Sequence, residues 1–269
     1  MRGFGFSFHP GTRANGISWG WVLLRGIGWW VVLALGMGTG CARMASETAT
    51  PTVFWLPTLV VSTATPTSPP TFVVPTDVPV LFFDDFSQSG AGPWPVMYGP
   101  WGAMGYMSGG YRITVSLPQT DVWAVAGLRV ADVRVEVDAV AVSGSEYNSF
   151  GVLCRYQDED NFYFFVLSNA GYYAIVKKER GEQHQLTPER QFARREVIRP
   201  GGALNRVAAE CQGNALRLYA NGVLLAEVED QGQVLGPGDV GILAGAFTDA
   251  GVIIHFDNFL VVDLTPQGP

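Results

Sequence analysis

From Val78 onward the chain alternates apolar and polar residues between glycine turns, and it does so almost to its end. Period-two alternation sends successive side chains to opposite faces, the pattern of a strand with one face on a core. No segment sustains a 3.6-residue apolar period with caps, so βαβ units are not expected, nor the dinucleotide-binding and barrel enzymes built from them. Valine and the aromatic residues are frequent while charged residues make up 15% of the chain, a composition suited to pleated, half-buried surfaces. The expectation is an all-β protein in which two antiparallel sheets pack face to face. Strands are expected near 80–83, 110–116, 122–127, 131–142, 149–157, 161–168, 171–178, 195–199, 204–212, 215–220, 223–229, 238–246 and 251–263. The firmest local signal is Asn221-Gly222 between two such runs, because that dipeptide accepts the positive φ angles of a tight hairpin.

The N-terminal part reads differently. Residues 1–40 hold no acidic residue, three arginines (Arg2, Arg13, Arg25) and a bare apolar run from Ile27 to Met37, the order of a basic n-region and an apolar h-region. Small residues and then Cys41 follow, which resembles the bacterial lipoprotein signal, where that cysteine is lipidated and becomes the mature N-terminus. Gly38 stands where the pattern prefers leucine. A second reading is an uncleaved anchor, since Ile17 to Met37 is long enough to cross a bilayer. Either reading exports the remainder and attaches it to a membrane. Residues 41–77 form a Thr/Pro-rich linker with almost no charge, expected to be extended and to nucleate no core. The globular domain is expected over 78–264, with a short tail at 265–269.

Lysine and arginine number 17 against 24 aspartates and glutamates, a formal charge of −7. Such a surface repels a phosphate backbone, so nucleic acid is not an expected partner. With Cys41 lipidated, Cys154 and Cys211 form an even pair in an oxidising compartment. Two readings stand: a disulfide, which requires neighbouring strands with close Cβ atoms, or two buried thiols.

Several segments carry a resemblance. Phe82-Phe-Asp-Asp-Phe-Ser, Gly109-Gly-Tyr-Arg-Ile, Cys154-Arg-Tyr-Gln-Asp followed by Asp160-Asn-Phe-Tyr, Leu216-Arg-Leu-Tyr-Ala-Asn-Gly and Phe256-Asp-Asn-Phe-Leu-Val look like the concanavalin A-like lectin/glucanase superfamily. Within it they are most similar to laminin G-like and 3-keto-disaccharide-hydrolase-type domains of bacterial surface proteins. The resemblance spans about 80 to 264 and implies a jelly-roll sandwich. That fold hosts lectins, glycosidases, adhesion modules and spacers, so the site must decide the function.

Catalytic chemistry is sparse. His9 falls in the leader, leaving His184 and His255, and there is no His-Glu-x-x-His, Cys-x-x-Cys, Gly-x-Ser-x-Gly or phosphate-cradling loop. Retaining glucanases of the superfamily carry Glu-x-Asp-x-x-Glu on one strand. Here Glu136-Val-Asp138 begins such a run but Ala141 stands at the third acid, so both read more simply as solvent-facing positions of an alternating strand. Asp158-Glu159-Asp160 reads as a solvated turn. Asp84 and Asp85 near the first strand and Asp257 in the last are expected to lie side by side, an oxygen-rich site of the kind calcium prefers. The ligand-binding candidates are Arg155, Asn161, Tyr163, Tyr173 and Lys177, because sugars lay C–H faces on aromatic rings while polar groups bond their hydroxyls. Which of Phe162 and Tyr163 faces the core is open from sequence. Trp94, Tyr98 and Trp101 offer a second platform, with packing on the sandwich as the alternative. The expected function is a non-catalytic carbohydrate-binding or adhesion module; a glycosidase acting on a disaccharide-like substrate and a purely structural or protein-binding domain are the rivals.

Overall fold

A computed structural model describes residues 4–8, 79–90, 92–188 and 195–265. Apart from Phe4–Phe8, the leader, Cys41 and the linker lie outside these residues. The described chain is all strand and turn. In chain order the strands are β1 (Phe4–Phe8), β2 (Val80–Asp84), β3 (Met97–Gly99), β4 (Gly102–Met107), β5 (Gly110–Val115), β6 (Thr120–Val125), β7 (Val133–Ser143) and β8 (Asn148–Asp158). They continue as β9 (Asn161–Leu167), β10 (Tyr173–Glu179), β11 (Glu182–Gln185), β12 (Asn205–Gln212), β13 (Ala215–Ala220), β14 (Val223–Glu229), β15 (Asp239–Ala246) and β16 (Val252–Asp263).

Two antiparallel sheets form. One has the order β1-β6-β15-β8-β9-β10-β11, the other β14-β13-β12-β7-β16-β5-β4-β3 with β2 paired to β16. The alternation read in the sequence sets the layers. On β7, Val133, Val135, Val137 and Ala139 are buried in the core between the sheets, while Arg134 and Glu136 between them remain part-exposed. Across the core stand Phe150, Val152, Tyr163, Phe165 and Leu167 of the seven-stranded sheet. At the β13–β14 turn Asn221 and Gly222 both take positive φ, 51° and 82°, as a two-residue hairpin requires.

Three short strands had no clear sequence signal. β3 and β4 lie in a Gly/Pro/Met stretch without apolar alternation, and β11, Glu-Gln-His-Gln, has no apolar residue at all. Pairing with a stronger neighbour makes each of them a strand. The expected strand at 195–199 is instead a turn, closed by Ile198 N on Arg195 O and by the Asn205 side chain, which bonds both N and O of Arg199.

Cys154 of β8 and Cys211 of β12 are joined, with Cα atoms 6.8 Å apart. Their strands belong to different sheets, so the bridge ties the two layers through the core and does not join neighbours within one sheet. It closes a separation of 57 residues. The chain-entropy account puts the stabilisation from such a loop at about 4 kcal/mol. Replacing both cysteines by alanine is expected to lower the unfolding free energy from urea melts by that amount; unchanged stability would show that the bridge constrains nothing in the unfolded chain.

Candidate functional site

Strand β9 settles which face is which. Tyr163, Phe165 and Leu167 point between the sheets, and Phe162, Phe164 and Val166 point to the other side of the seven-stranded sheet. That other side should be polar if it merely met water. Instead it carries a second apolar cluster: Trp123 and Val125 from β6, Leu243 from β15, Leu153 and Tyr156 from β8, the β9 residues, and Val176 from β10.

The sheet curls around this cluster. In a flat sheet β6 and β11 would be five strand spacings apart, about 24 Å. Yet Gln183 of β11 donates from Nε2 to Asp121 Oδ2 of β6 at 3.3 Å, and Lys178 Nζ of β10 stands 5.3 Å from the Trp123 ring centre and 5.7 Å from that of Phe162. Glycines on the middle strands permit the bend. A Cβ at Gly241 would lie 2.0 Å from Ala124 O, and one at Gly151 would lie 1.9 Å from Phe165 O; only glycine lets backbones approach so closely.

The result is a closed trough, its aromatic walls buried and its rim polar. Trp123 and Phe162 rings are 5.1 Å apart, and Tyr156 and Phe162 rings 5.4 Å. Burial holds the Lys178 amine below its ordinary value, while Asp160, Asp121, Glu159 and Asp158 act against that shift. The cation over two rings is a favourable arrangement. The buried indole N–H of Trp123 makes no hydrogen bond of good geometry, and the Tyr156 hydroxyl is the polar group that faces it. Asp121, Ser149, Lys178 and Gln183 therefore surround rings that are otherwise apolar. Sequence reasoning passed over Trp123, Asp121, Lys178 and Gln183. A usable signal was there, since alternation along Thr120–Val125 puts Asp121 and Trp123 on the same face.

The residues singled out from sequence do something else. Tyr163 is wholly buried; its hydroxyl donates to Asp230 Oδ2 at 2.6 Å and accepts from Leu235 N at 3.0 Å. Lys177 is buried and its Nζ reaches Gln233 O at 2.6 Å, Glu179 at 3.0 Å and Asp230 at 3.1 Å. Arg155, also buried, donates to Ala131 O, Leu235 O and Asp132 Oδ1. Each of these three bonds the chain's own segment between β14 and β15, which lies outside the named strands and bridges to Val130 at Gly238. Asn161 closes the β8–β9 turn, bonding Asp158 Oδ1 and Arg180 N. Tyr173 lies in the core beneath Arg195. Of the five residues expected to bind a ligand, Arg155, Tyr163, Tyr173 and Lys177 are thus buried and Asn161 shapes a turn.

The acidic candidates fare similarly. β2 and β16 do pair, with Asp84 opposite Phe259. But Asp84 takes Phe86 N at 2.7 Å and the Trp94 indole N–H at 3.0 Å, Asp85 takes Ser87 N, and Asp257 takes Asn258 N. Among the described residues no three acidic, histidine or cysteine side chains converge as metal ligands, although Asp85 lies near enough to Asp257 to act with burial in raising its carboxyl. Glu136 and Asp138 lie on the outer face of the nine-stranded sheet. Burial would raise the Glu136 carboxyl, but Arg134 and Arg206 hold it below its ordinary value, the reverse of what a general acid for glycoside cleavage needs. Of the second platform, Trp94 is buried and Trp101 packs on the core; Tyr98 is 87% exposed.

No protein-family model matches this sequence, and no curated protein does. Among solved structures the chain is similar to a Bacillus subtilis protein with a galectin-like fold, at TM-score 0.50 and 12% identity over 69% of this chain and 96% of that one. That likeness gives the fold. Further similar structures are carbohydrate binding module CBM66 of Bacillus subtilis, at TM-score 0.45 and 17% identity over 65% of this chain and 94% of that one, and a Bacillus licheniformis β-glucanase, at 0.48 and 12% over 69% and 98%. The chain is a two-sheet antiparallel β-sandwich with a galectin-like fold.

Asp230 yields a pH test. Burial would raise its carboxyl, but the Tyr163 hydroxyl, Gly232 N and Lys177 together hold it below its ordinary value. A folded-state value below the unfolded one stabilises fully above the ordinary carboxylate range near pH 4 and is lost as pH falls below it. Asp230→Asn is expected to cost roughly 2 kcal/mol at pH 7, because it takes the charged acceptor from the buried Tyr163 hydroxyl and leaves Glu179 as the carboxylate partner of Lys177. Thermal melts from pH 6 to 2.5 should show a shallower acid limb than in the parent; parallel limbs would exclude Asp230 from the acid transition.

Proposed function

We propose that this protein is an exported, membrane-anchored, non-catalytic carbohydrate-binding module, related to the laminin G-like branch of the fold, which binds its glycan in the curled trough of the seven-stranded sheet. The observation that carries this reading is the juxtaposition of Trp123, Phe162 and Tyr156 with Asp121, Lys178 and Gln183. Aromatic rings stack on the C–H faces of a sugar, and carboxylate, amine and amide groups exchange their bonds for its hydroxyls. The rings are buried under the contact between Gln183 and Asp121, so a glycan enters by replacing that 3.3 Å bond. The four-residue edge strand β11 has little packing to lose when it moves.

Lipidation at Cys41, a Thr/Pro stalk over 41–77 and display at the cell surface belong to the same proposal. They rest on the basic and apolar order of residues 1–40 and on the linker composition. In the processed protein β1 is absent and β6 forms the sheet edge.

The test is a polysaccharide and oligosaccharide binding array with the full chain, followed by titration of any hit against Trp123→Phe. Loss of about tenfold in affinity, near 1.4 kcal/mol, is expected from the smaller ring. Equal affinity in a folded Trp123→Phe protein removes the trough from the reading. Release of smaller sugars during the assay replaces it with the glycosidase alternative.

A further inference from the structure

The outer face of the nine-stranded sheet is divided. On β7, β12 and β13 each arginine is held by two carboxylates: Arg134 by Glu136 and Glu210, Arg206 by Glu136 and Asp138, Arg217 by Glu210 and Glu227. On β5 the pattern stops. Arg112 is half-buried, makes no hydrogen bond or ion pair among the described residues, and has a buried Nε with no partner. Its neighbour across the β5–β16 ladder is His255, whose buried Nδ1 also lacks a partner. Burial and the charge of Arg112 hold that imidazole below its ordinary value, so at neutral pH it is uncharged. The acidic residue next along β16, Asp257, bonds Asn258 N instead.

On the other side of Arg112 the surface is apolar, formed by the Val96 side chain over a glycine. The ladder neighbour of Arg112 on β4 is Gly105, and a Cβ there would come within 3.2 Å of the Val96 side chain. Beyond, on the outermost strand, Tyr98 projects at 87% exposure beside Val96 at 67%. Its strand is fixed from beneath: the Tyr111 hydroxyl bonds Pro95 O, Trp94 bonds Asp84, and the Trp101 ring lies against Gly99. An aromatic side chain on a fixed backbone has only two χ angles to restrict on binding. Tyr98 stands opposite Ala103, and Ala103 opposite Thr114, so Tyr98 lies two strand spacings across and two residues along from Arg112, about 12 Å, a distance that the two side chains and two linked pyranose rings together span.

We propose that Tyr98, Gly105, Arg112 and His255 form a second binding site, distinct from the trough, for a carboxylate-bearing saccharide. One sugar ring stacks on Tyr98; the next lies over the exposed Val96 side chain that covers Gly105, and its carboxylate pairs with the guanidinium of Arg112. Charge complementarity selects the ligand: the uncompensated positive charge stands in a chain of net charge −7, on a face whose other arginines are already paired.

The test uses the full chain and a panel of galacturonate, mannuronate and glucuronate oligosaccharides, with methyl-esterified galacturonate oligomers as the uncharged control, measured by calorimetry. At least one acidic oligomer is expected to bind. Tyr98→Ala and Arg112→Gln should each weaken it by tenfold or more with unchanged melting temperatures, esterification should weaken it similarly, and Trp123→Phe should leave it unchanged. Silence of the whole panel, equal binding of the esterified oligomer, or full binding by both folded variants overturns the proposal. So does a dimer in sedimentation that Tyr98→Ala dissociates, since the face would then be occupied by a second copy. A failure of the trough reading shows instead as insensitivity of neutral-glycan binding to Trp123→Phe, so the two are separable.

Discussion

Strand β9 is buried on both faces, and much of the molecule is arranged around that fact. A strand in a sandwich normally has one face on the core and one in water. In Asn161–Leu167 three large residues go each way, Tyr163, Phe165 and Leu167 inward and Phe162, Phe164 and Val166 outward. The inward set needs the opposing sheet, which the Cys154–Cys211 bridge holds in place from the adjacent strand β8. The outward set has no such sheet, and the seven-stranded layer covers it by curling on itself until β11 touches β6. The close glycine approaches at Gly151 and Gly241 are what allow so tight a curl.

The polar residues inside the sandwich solve a backbone problem. The segment from Asp230 to Gly238 leaves the nine-stranded sheet and enters the seven-stranded one without a ladder for most of its length, and where it turns inward, at Leu235, its amide groups must find partners. Tyr163, Lys177 and Arg155 supply them, with Gln157 adding a longer bond to Gly236 O at 3.3 Å. Arg155 does so from a left-handed backbone position, φ 49°, in the bulge of β8, and its three bonds help hold that strained residue. Guanidinium, amine and phenol groups that would recognise sugar hydroxyls are equally able to recognise peptide carbonyls. Here the chain itself is the ligand.

This explains what could be read from the residues and what could not. Strand positions and the two-layer architecture follow from alternation and turn chemistry, which are local; the hairpin at Asn221-Gly222 needs no tertiary information. The side of β9 that faces the core was undecidable because both sides are apolar, and choosing Tyr163 for a surface site placed it where the structure has none. The strands β3, β4 and β11 form because a neighbour offers an edge, a long-range effect that composition does not carry. The trough was hidden for the same reason: Trp123, Phe162 and Lys178 come from β6, β9 and β10, and their meeting depends on sheet curvature.

The two sheets also differ in how they treat charge. In the trough the cation Lys178 is set over rings and within the field of Asp121 and Asp158–Asp160, so its charge is balanced within the protein. On the outer face of the nine-stranded sheet, an alternating ladder balances Arg134, Arg206 and Arg217 so completely that this half has little left to offer an ion. Because salt-bridged arginines take part in a local network, their charges cancel within one or two strand spacings and the field above them is small. Arg112 lies beyond the end of that network, next to a neutral imidazole and a glycine. Its field is therefore uncancelled in the direction of Tyr98, which makes this corner of an acidic protein attractive to an anion.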